Sequence, residues 1–143
     1  MKYLLDTCVI SELVRKNPDT RVVEWLSDQE ERSLFLSVLT LGELEKGIFK
    51  LPDGPLRRRL RDWIDLDLRK RFRDRILPVD RDVADRWGSL SGEAERKGQK
   101  VPVIDGLLAA TALTHGLTLV TRDIKHLAAT TAVIFNPWLS YSN

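Results

Sequence analysis

Asp6, Glu43, Asp105 and Asp123 each stand close behind a short apolar stretch, and carboxylates can bind a cation or move protons if folding gathers them. Two carboxylates about 4 Å apart repel by roughly 4 kcal/mol at an effective dielectric of about 20. Four in one place must therefore hold a cation, raise some of their pKa values, or stay apart. An all-oxygen set suits Mg²⁺ or Mn²⁺ rather than zinc. His115 lies at a helix end before Gly116 and His126 is isolated in the sequence, so neither reads as a ligand.

Taken singly, each acid also has a plainer reading. Thr40-Leu41-Gly42-Glu43 has the capping-box pattern, in which Glu43 reaches back to the Thr40 amide. Asp6, Asp105 and Asp123 can each be helix N-caps, worth about 1 kcal/mol apiece. Thr7 and Thr121 have two open readings, as hydroxyls that orient the carboxylates or as turn and capping groups. Cys8 invites a nucleophile reading, but no His is near it in sequence and a neighbouring carboxylate raises a thiol pKa. It reads as a small packed core residue.

Short apolar runs alternate with amphipathic segments, which predicts α/β architecture with a mostly parallel central sheet flanked by helices. Strands are expected at 2–5, Leu34–Ser37, 76–79, 117–120 and 133–135. A helix follows the first strand through Val14, and Asp19 after Asn17-Pro18 caps a second that turns Val22, Val23, Trp25 and Leu26 inward. A third helix covers 40–51 and stops at Pro52-Asp53-Gly54-Pro55. Leu60, Trp63, Ile64, Leu68 and Phe72 recur at helical spacing, and Asp80 caps a helix carrying Val83, Trp87 and Leu90. After a loop at 98–101 and an extended stretch at 101–104, an Ala-rich helix spans 105–115 and stops at Gly116; a short helix covers 124–128. In open parallel sheets ligands bind beyond the C-terminal strand ends, so all four acids land on one rim.

The 143 residues fit one domain, 1–143, and a hydrophobic share of 43% supplies a normal core. A formal net charge of +2 does not by itself announce a nucleic-acid binder. The single Cys8 excludes an internal disulfide and suits a reducing cytoplasm. Asp6 and Glu12 interrupt the first apolar run, so no signal peptide is expected, and no stretch is long enough to cross a bilayer. Charge is uneven, however: Arg57, Arg58, Arg59, Arg61, Arg69, Lys70, Arg71, Arg73 and Arg75 cluster in one segment. One reading is a solvated face with i,i+4 pairs Arg58–Asp62, Arg61–Asp65 and Lys70–Asp74; the favoured one is a surface guiding a phosphate polymer to the acids.

Leu4-Leu5-Asp6-Thr7 with Val9-Ile10-Ser11-Glu12, then Thr40-Leu41-Gly42-Glu43, then Ile104-Asp105-Gly106-Leu107-Leu108-Ala109-Ala110-Thr111-Ala112, then Leu119-Val120-Thr121-Arg122-Asp123, resemble PIN-domain toxins of the VapC/FitB-like branch of type II toxin–antitoxin systems. Asp85-Arg86-Trp87-Gly88 and Asn136-Pro137-Trp138 also fit, so the similarity covers nearly the whole chain in order. The resemblance implies a Rossmann-like PIN fold and a Mg²⁺- or Mn²⁺-dependent endoribonuclease with RNA as substrate. It also implies a homodimer held inactive by a small antitoxin. Carried over by position, Asp6, Glu43, Asp105 and Asp123 fall on the family's acidic positions as catalytic and metal-binding residues. Two departures stand out. The family usually has Asn where this chain has Cys8, which removes a supporting hydrogen bond, and this branch often has Asn where Asp123 stands.

Rival functions follow from the same acids. A phosphatase using Asp6 as acceptor wants an acid two residues on, where Cys8 stands, and a receiver domain needs a different order of Asp and Lys. A non-catalytic RNA- or protein-binding module and a metal-dependent DNA nuclease remain as alternatives.

Overall fold

The computed structural model describes residues 1–139; the last four residues of the expected domain lie outside them. The first half runs β1 (Tyr3–Leu5), α1 (Thr7–Glu12), α2 (Thr20–Asp28), a 3₁₀ turn (Glu31–Ser33), β2 (Leu34–Ser37), α3 (Val38–Phe49) and α4 (Pro55–Asp62). A π-helical turn (Trp63–Leu68) and α5 (Arg69–Arg71) continue α4 to β3 (Ile76–Leu77). The second half is α6 (Arg81–Arg96), α7 (Val103–His115), β4 (Thr118–Val120), α8 (Ile124–Leu127) and β5 (Ile134–Phe135).

All strand pairs are parallel, in the order β3-β2-β1-β4-β5. β1 registers Tyr3 on Leu34 at one side, and Leu4 on Leu119 with Leu5 on Val120 at the other. The chain steps outward from β1 to β3, then returns to lay β4 against the free side of β1. Strand order therefore reverses at β1 and β4, and a crevice opens beyond their C-terminal ends.

Side-chain alternation along the strands sends apolar groups to both sheet faces, as helix-covered parallel strands require. Leu5, Leu34, Leu36 and Val120 join Val9, Ile10, Trp25, Ile64, Leu68 and Phe72 on one face. Leu4 and Leu119 join Leu108, Ala109 and Ala112 of α7 on the other. The small residues of α7 let it lie close to the sheet, and Gly106 does the same toward α6. A Cβ at Gly106 would stand 3.1 Å from Trp87 Cδ1 and Nε1, so the glycine sets how near α6 approaches the residue beside Asp105.

Several local expectations hold, and others fail for identifiable reasons. Asp19 and Asp80 cap α2 and α6, accepting from the amides of Arg21 and Val83. Gly116 ends α7 at φ 66°, a left-handed position that favours glycine. The capping box at Thr40 does not form. Ser37 caps α3 three residues earlier, accepting the Leu39 amide at 3.0 Å, and Thr40 is buried inside the helix. α7 begins at Val103 rather than Asp105, and Val23 is exposed rather than inward. Leu60, Ile64, Leu68 and Phe72 are spaced by four, more than the 3.6 residues of an α-helical turn, and the wider π turn keeps them in one stripe.

Candidate active site

Asp6 stands directly after β1 and caps α1, with its Oδ1 accepting the Thr7 amide at 2.7 Å. Its amide in turn donates to the Val120 carbonyl at 3.0 Å, which ties the ends of β1 and β4 together. The buried Thr121 hydroxyl donates to Asp6 Oδ2 at 2.7 Å while accepting the Asp123 amide at 2.9 Å. Both readings of Thr121 thus hold in one residue. Cys8 Sγ lies 3.8 Å from Asp6 Oδ2 and 3.6 Å from Thr121 Oγ1, so the thiol gives only weak contacts to both.

Glu43 sits in the second turn of α3, free of any capping duty, and accepts the Thr7 hydroxyl. Thr7 therefore joins Asp6 and Glu43, through its amide to one and its hydroxyl to the other. Asp105 is the third residue of α7 and makes no capping bond; Asp123 occupies the cap position of α8 without bonding its amides, its carboxylate meeting the His126 ring instead. Starting α7 two residues early is what releases Asp105 from capping and turns it to the crevice.

The acids meet in a cavity of about 350 Å³ lined by Asp6, Thr7, Cys8, Glu43, Asp105, Arg122 and Asp123. A larger depression of about 700 Å³ opens around Met1, Tyr3, Asp28 and Ser33, at the opposite ends of the strands, without such a grouping. Burial pushes the Asp105 carboxyl up, the charges of Asp123 and Asp6 push it further, His126 opposes them, and Glu43 adds the smallest upward influence. Burial also raises Asp6; the bonds from Thr121, Thr7 and Cys8 counter it, and Asp123 adds to it. The repulsion that the sequence suggested is therefore present, and it converges on Asp105.

His126 corrects the sequence reading. Its Nδ1 lies 2.8 Å from Asp123 Oδ2 and 3.5 Å from Asp105 Oδ2, because one turn of α8 carries it back over the crevice. Ligand atoms of Asp105, Asp123 and His126 all fall within 4.8 Å of one another. Cys8 is half-buried at the cavity wall, and burial followed by the Asp6 charge raises its thiol, which disfavours nucleophilic use.

Five of the nine cations in the basic segment, Arg57, Arg61, Arg69, Arg71 and Arg75, are paired with carboxylates. Glu45 takes both Arg61 terminal nitrogens at 2.6 Å and Arg69 at 3.3 Å, and Glu31 takes Arg71 and Arg75. Of the three i,i+4 pairs expected, Arg61–Asp65 alone forms among the described residues, at 3.8 Å.

An oxygen-rich cavity at the reversal point of a β3-β2-β1-β4-β5 sheet agrees with the sequence family, since the PIN-domain model matches residues 3–131. The chain belongs to the PIN-domain family. It is 38% identical over 135 residues to toxin FitB of Neisseria gonorrhoeae, covering 94% of this chain and 97% of the relative. It is 35% identical over 135 residues to VapC ribonuclease Y4jK of Sinorhizobium fredii, covering 94% and 96%. Among solved structures, a chain of FitAcB from Neisseria gonorrhoeae superposes with a TM-score of 0.91 at 38% identity, over 95% of this chain and 98% of that one. No helix among the described residues is long and apolar enough to cross a membrane.

Proposed function

We propose that this PIN domain is the ribonuclease toxin of a type II toxin–antitoxin pair, and that Asp6, Glu43, Asp105 and Asp123 form its catalytic metal site. The observation that carries the proposal is that the four carboxylates line one cavity, where burial first, and then the charges of Asp123, Asp6 and Glu43, raise the Asp105 carboxyl. Nothing in a capping role demands such convergence, and a divalent cation relieves it. Oxygen donors dominate, so the residues fit Mg²⁺ or Mn²⁺, held by Asp6, Asp105, Glu43 and Asp123. When bound, such an ion supplies Lewis acidity to a phosphoryl oxygen and to water.

The chain's own residues do the positioning. Thr121 and Thr7 fix Asp6, Thr7 fixes Glu43, and both hydroxyls keep those carboxylates oriented before any ligand arrives. Asp105 and Asp123 receive no such hydroxyl; His126 faces both instead, with Nδ1 2.8 Å from Asp123 Oδ2 and 3.5 Å from Asp105 Oδ2.

RNA as substrate, a small antitoxin as partner and a homodimer as assembly follow from the likeness to FitB and the VapC ribonuclease. Exposed Phe49, Leu56 and Leu66 offer apolar surface for such protein contacts. The substrate and the lone free Cys8 fit action in the cytoplasm.

The test is incubation of the pure protein with single-stranded RNA, structured RNA and DNA, each with Mg²⁺, Mn²⁺ or EDTA. RNA cleavage that needs the cation, and that falls more than about a hundredfold in Asp6→Asn and Asp105→Asn while both stay folded, is the expected result. Near-normal cleavage by either variant, or cutting of DNA alone, overturns the assignment. Growth arrest on expressing this chain, relieved by the adjacent small gene, tests the toxin role.

A further inference from the structure

We infer that Arg122 grips a phosphate of the substrate strand at the mouth of the acidic cavity. The inference rests on the ribonuclease reading for the identity of the strand, and on geometry for the rest. Arg122 lines the same cavity as the four acids, yet its guanidinium makes no ion pair with a carboxylate among the described residues; its charge reaches Asp19 only as the smallest influence on that carboxyl, which Arg21 binds. In the basic segment Arg57, Arg61, Arg69, Arg71 and Arg75 are each bound to Asp53, Glu45 or Glu31, and Arg58, Arg59, Lys70 and Arg73, though they make no ion pair among the described residues, do not line the acidic cavity.

What holds Arg122 is an aromatic face. Its Cζ stands 4.6 Å from the centre of the Trp138 ring, and Trp138 is buried, with its amide donating to Asn136 Oδ1 at 2.9 Å. Stacking engages the plane of a guanidinium and leaves the N–H groups along its edge unspent. A carboxylate partner would consume those donors; an indole does not. The side chain is thus held in place with its hydrogen-bonding capacity intact, the condition that two-pronged recognition of a phosphate needs.

Charge gives the reason for such a residue. Four carboxylates repel a phosphate backbone, and one divalent cation offsets only part of them. A fixed cation at the rim supplies attraction that does not depend on the metal. It acts on the phosphate without touching the carboxylates that bind the ion.

The experiment is fluorescence anisotropy of a labelled single-stranded RNA with Ca²⁺ present, over a range of KCl concentrations, for wild type, Arg122→Ala and Arg122→Lys. Arg122→Ala should weaken binding roughly tenfold at low salt, as loss of a charged hydrogen bond does. It should also reduce the slope of log affinity against log salt by about 0.7, the signature of one lost contact on a single strand. Arg122→Lys should keep the slope and lose part of the affinity, because charge remains and the fork does not. Mn²⁺ affinity by calorimetry should be unchanged or tighter in Arg122→Ala, since a repelling charge has gone. An unchanged salt slope, or Mn²⁺ binding that falls together with RNA binding, overturns the inference. Cleavage of the same RNA by wild type with Mn²⁺ is scored separately, so an inactive protein with the expected change of slope would count against the ribonuclease reading alone.

Discussion

The Thr121 hydroxyl donates to Asp6 Oδ2 at 2.7 Å, joining the residue that follows β4 to the residue that follows β1. This bond is the largest influence holding the Asp6 carboxyl down against its burial. Thr121→Val should leave Asp6 Oδ2 short of its donor and the Asp123 amide short of its acceptor. The expected cost is about 1–3 kcal/mol in chemical denaturation, with metal affinity falling about 10- to 100-fold. Thr121→Ser keeps the hydroxyl and should recover most of both. Wild-type metal affinity in Thr121→Val would show that Asp6 needs no such support.

The Asp105 shift has a consequence for stability that pH titration can read. Its folded pKa lies above the ordinary 3.8, so it contributes stability that is fully present below 3.8 and is lost as pH rises through the raised value. Asp105→Asn resembles the protonated acid at every pH. In EDTA, the stability of the variant relative to wild type should therefore grow across that window and then level off. Urea denaturation at a series of pH values gives the comparison, and a difference that does not vary with pH would mean that neither burial nor the neighbouring acids raise Asp105.

Arg75 separates structural cations from substrate-binding ones. Its guanidinium donates to the Leu34 carbonyl at 2.7 Å, to the Arg71 carbonyl, and to Glu31, at the point where the Arg75 carbonyl accepts the Leu36 amide. Arg75→Ala should cost about 1–3 kcal/mol by loosening β3 against β2. RNA affinity and its salt dependence should stay at wild-type values in the folded variant. A reduced salt slope would return this segment to the substrate surface.

These outcomes bear on what local sequence can reveal. The α/β alternation, the caps at Asp19 and Asp80 and the stop at Gly116 are local signals, and each appears where periodicity and turn chemistry place it. Thr40 misled because Ser37 has the same capping chemistry and stands at the strand end, where the helix in fact begins. His126 was invisible as a neighbour of Asp105 because their proximity depends on how α7 and α8 meet, not on spacing within either. The pairing of the basic segment was hidden for a similar reason: Glu31 and Glu45, the partners of Arg61, Arg69, Arg71 and Arg75, come from other elements, and an i,i+4 pattern cannot register them. The four acids were legible because each lies within a few residues of a strand end or helix start, where parallel topology gathers them.

The central claim is that Asp6, Glu43, Asp105 and Asp123 form one cation site, and thermal melts with Mn²⁺, Mg²⁺ or EDTA at constant ionic strength test it most directly. Binding to the folded state adds about 2.7 kcal/mol at a hundredfold excess over Kd, which should raise Tm by roughly 5 °C for a domain of this size. Asp105→Asn should melt at the same temperature as wild type or higher in EDTA, and should lose most of the rise on adding Mn²⁺. A wild type whose Tm does not respond to millimolar Mn²⁺, or an Asp105→Asn variant that responds as fully as wild type, would contradict the account.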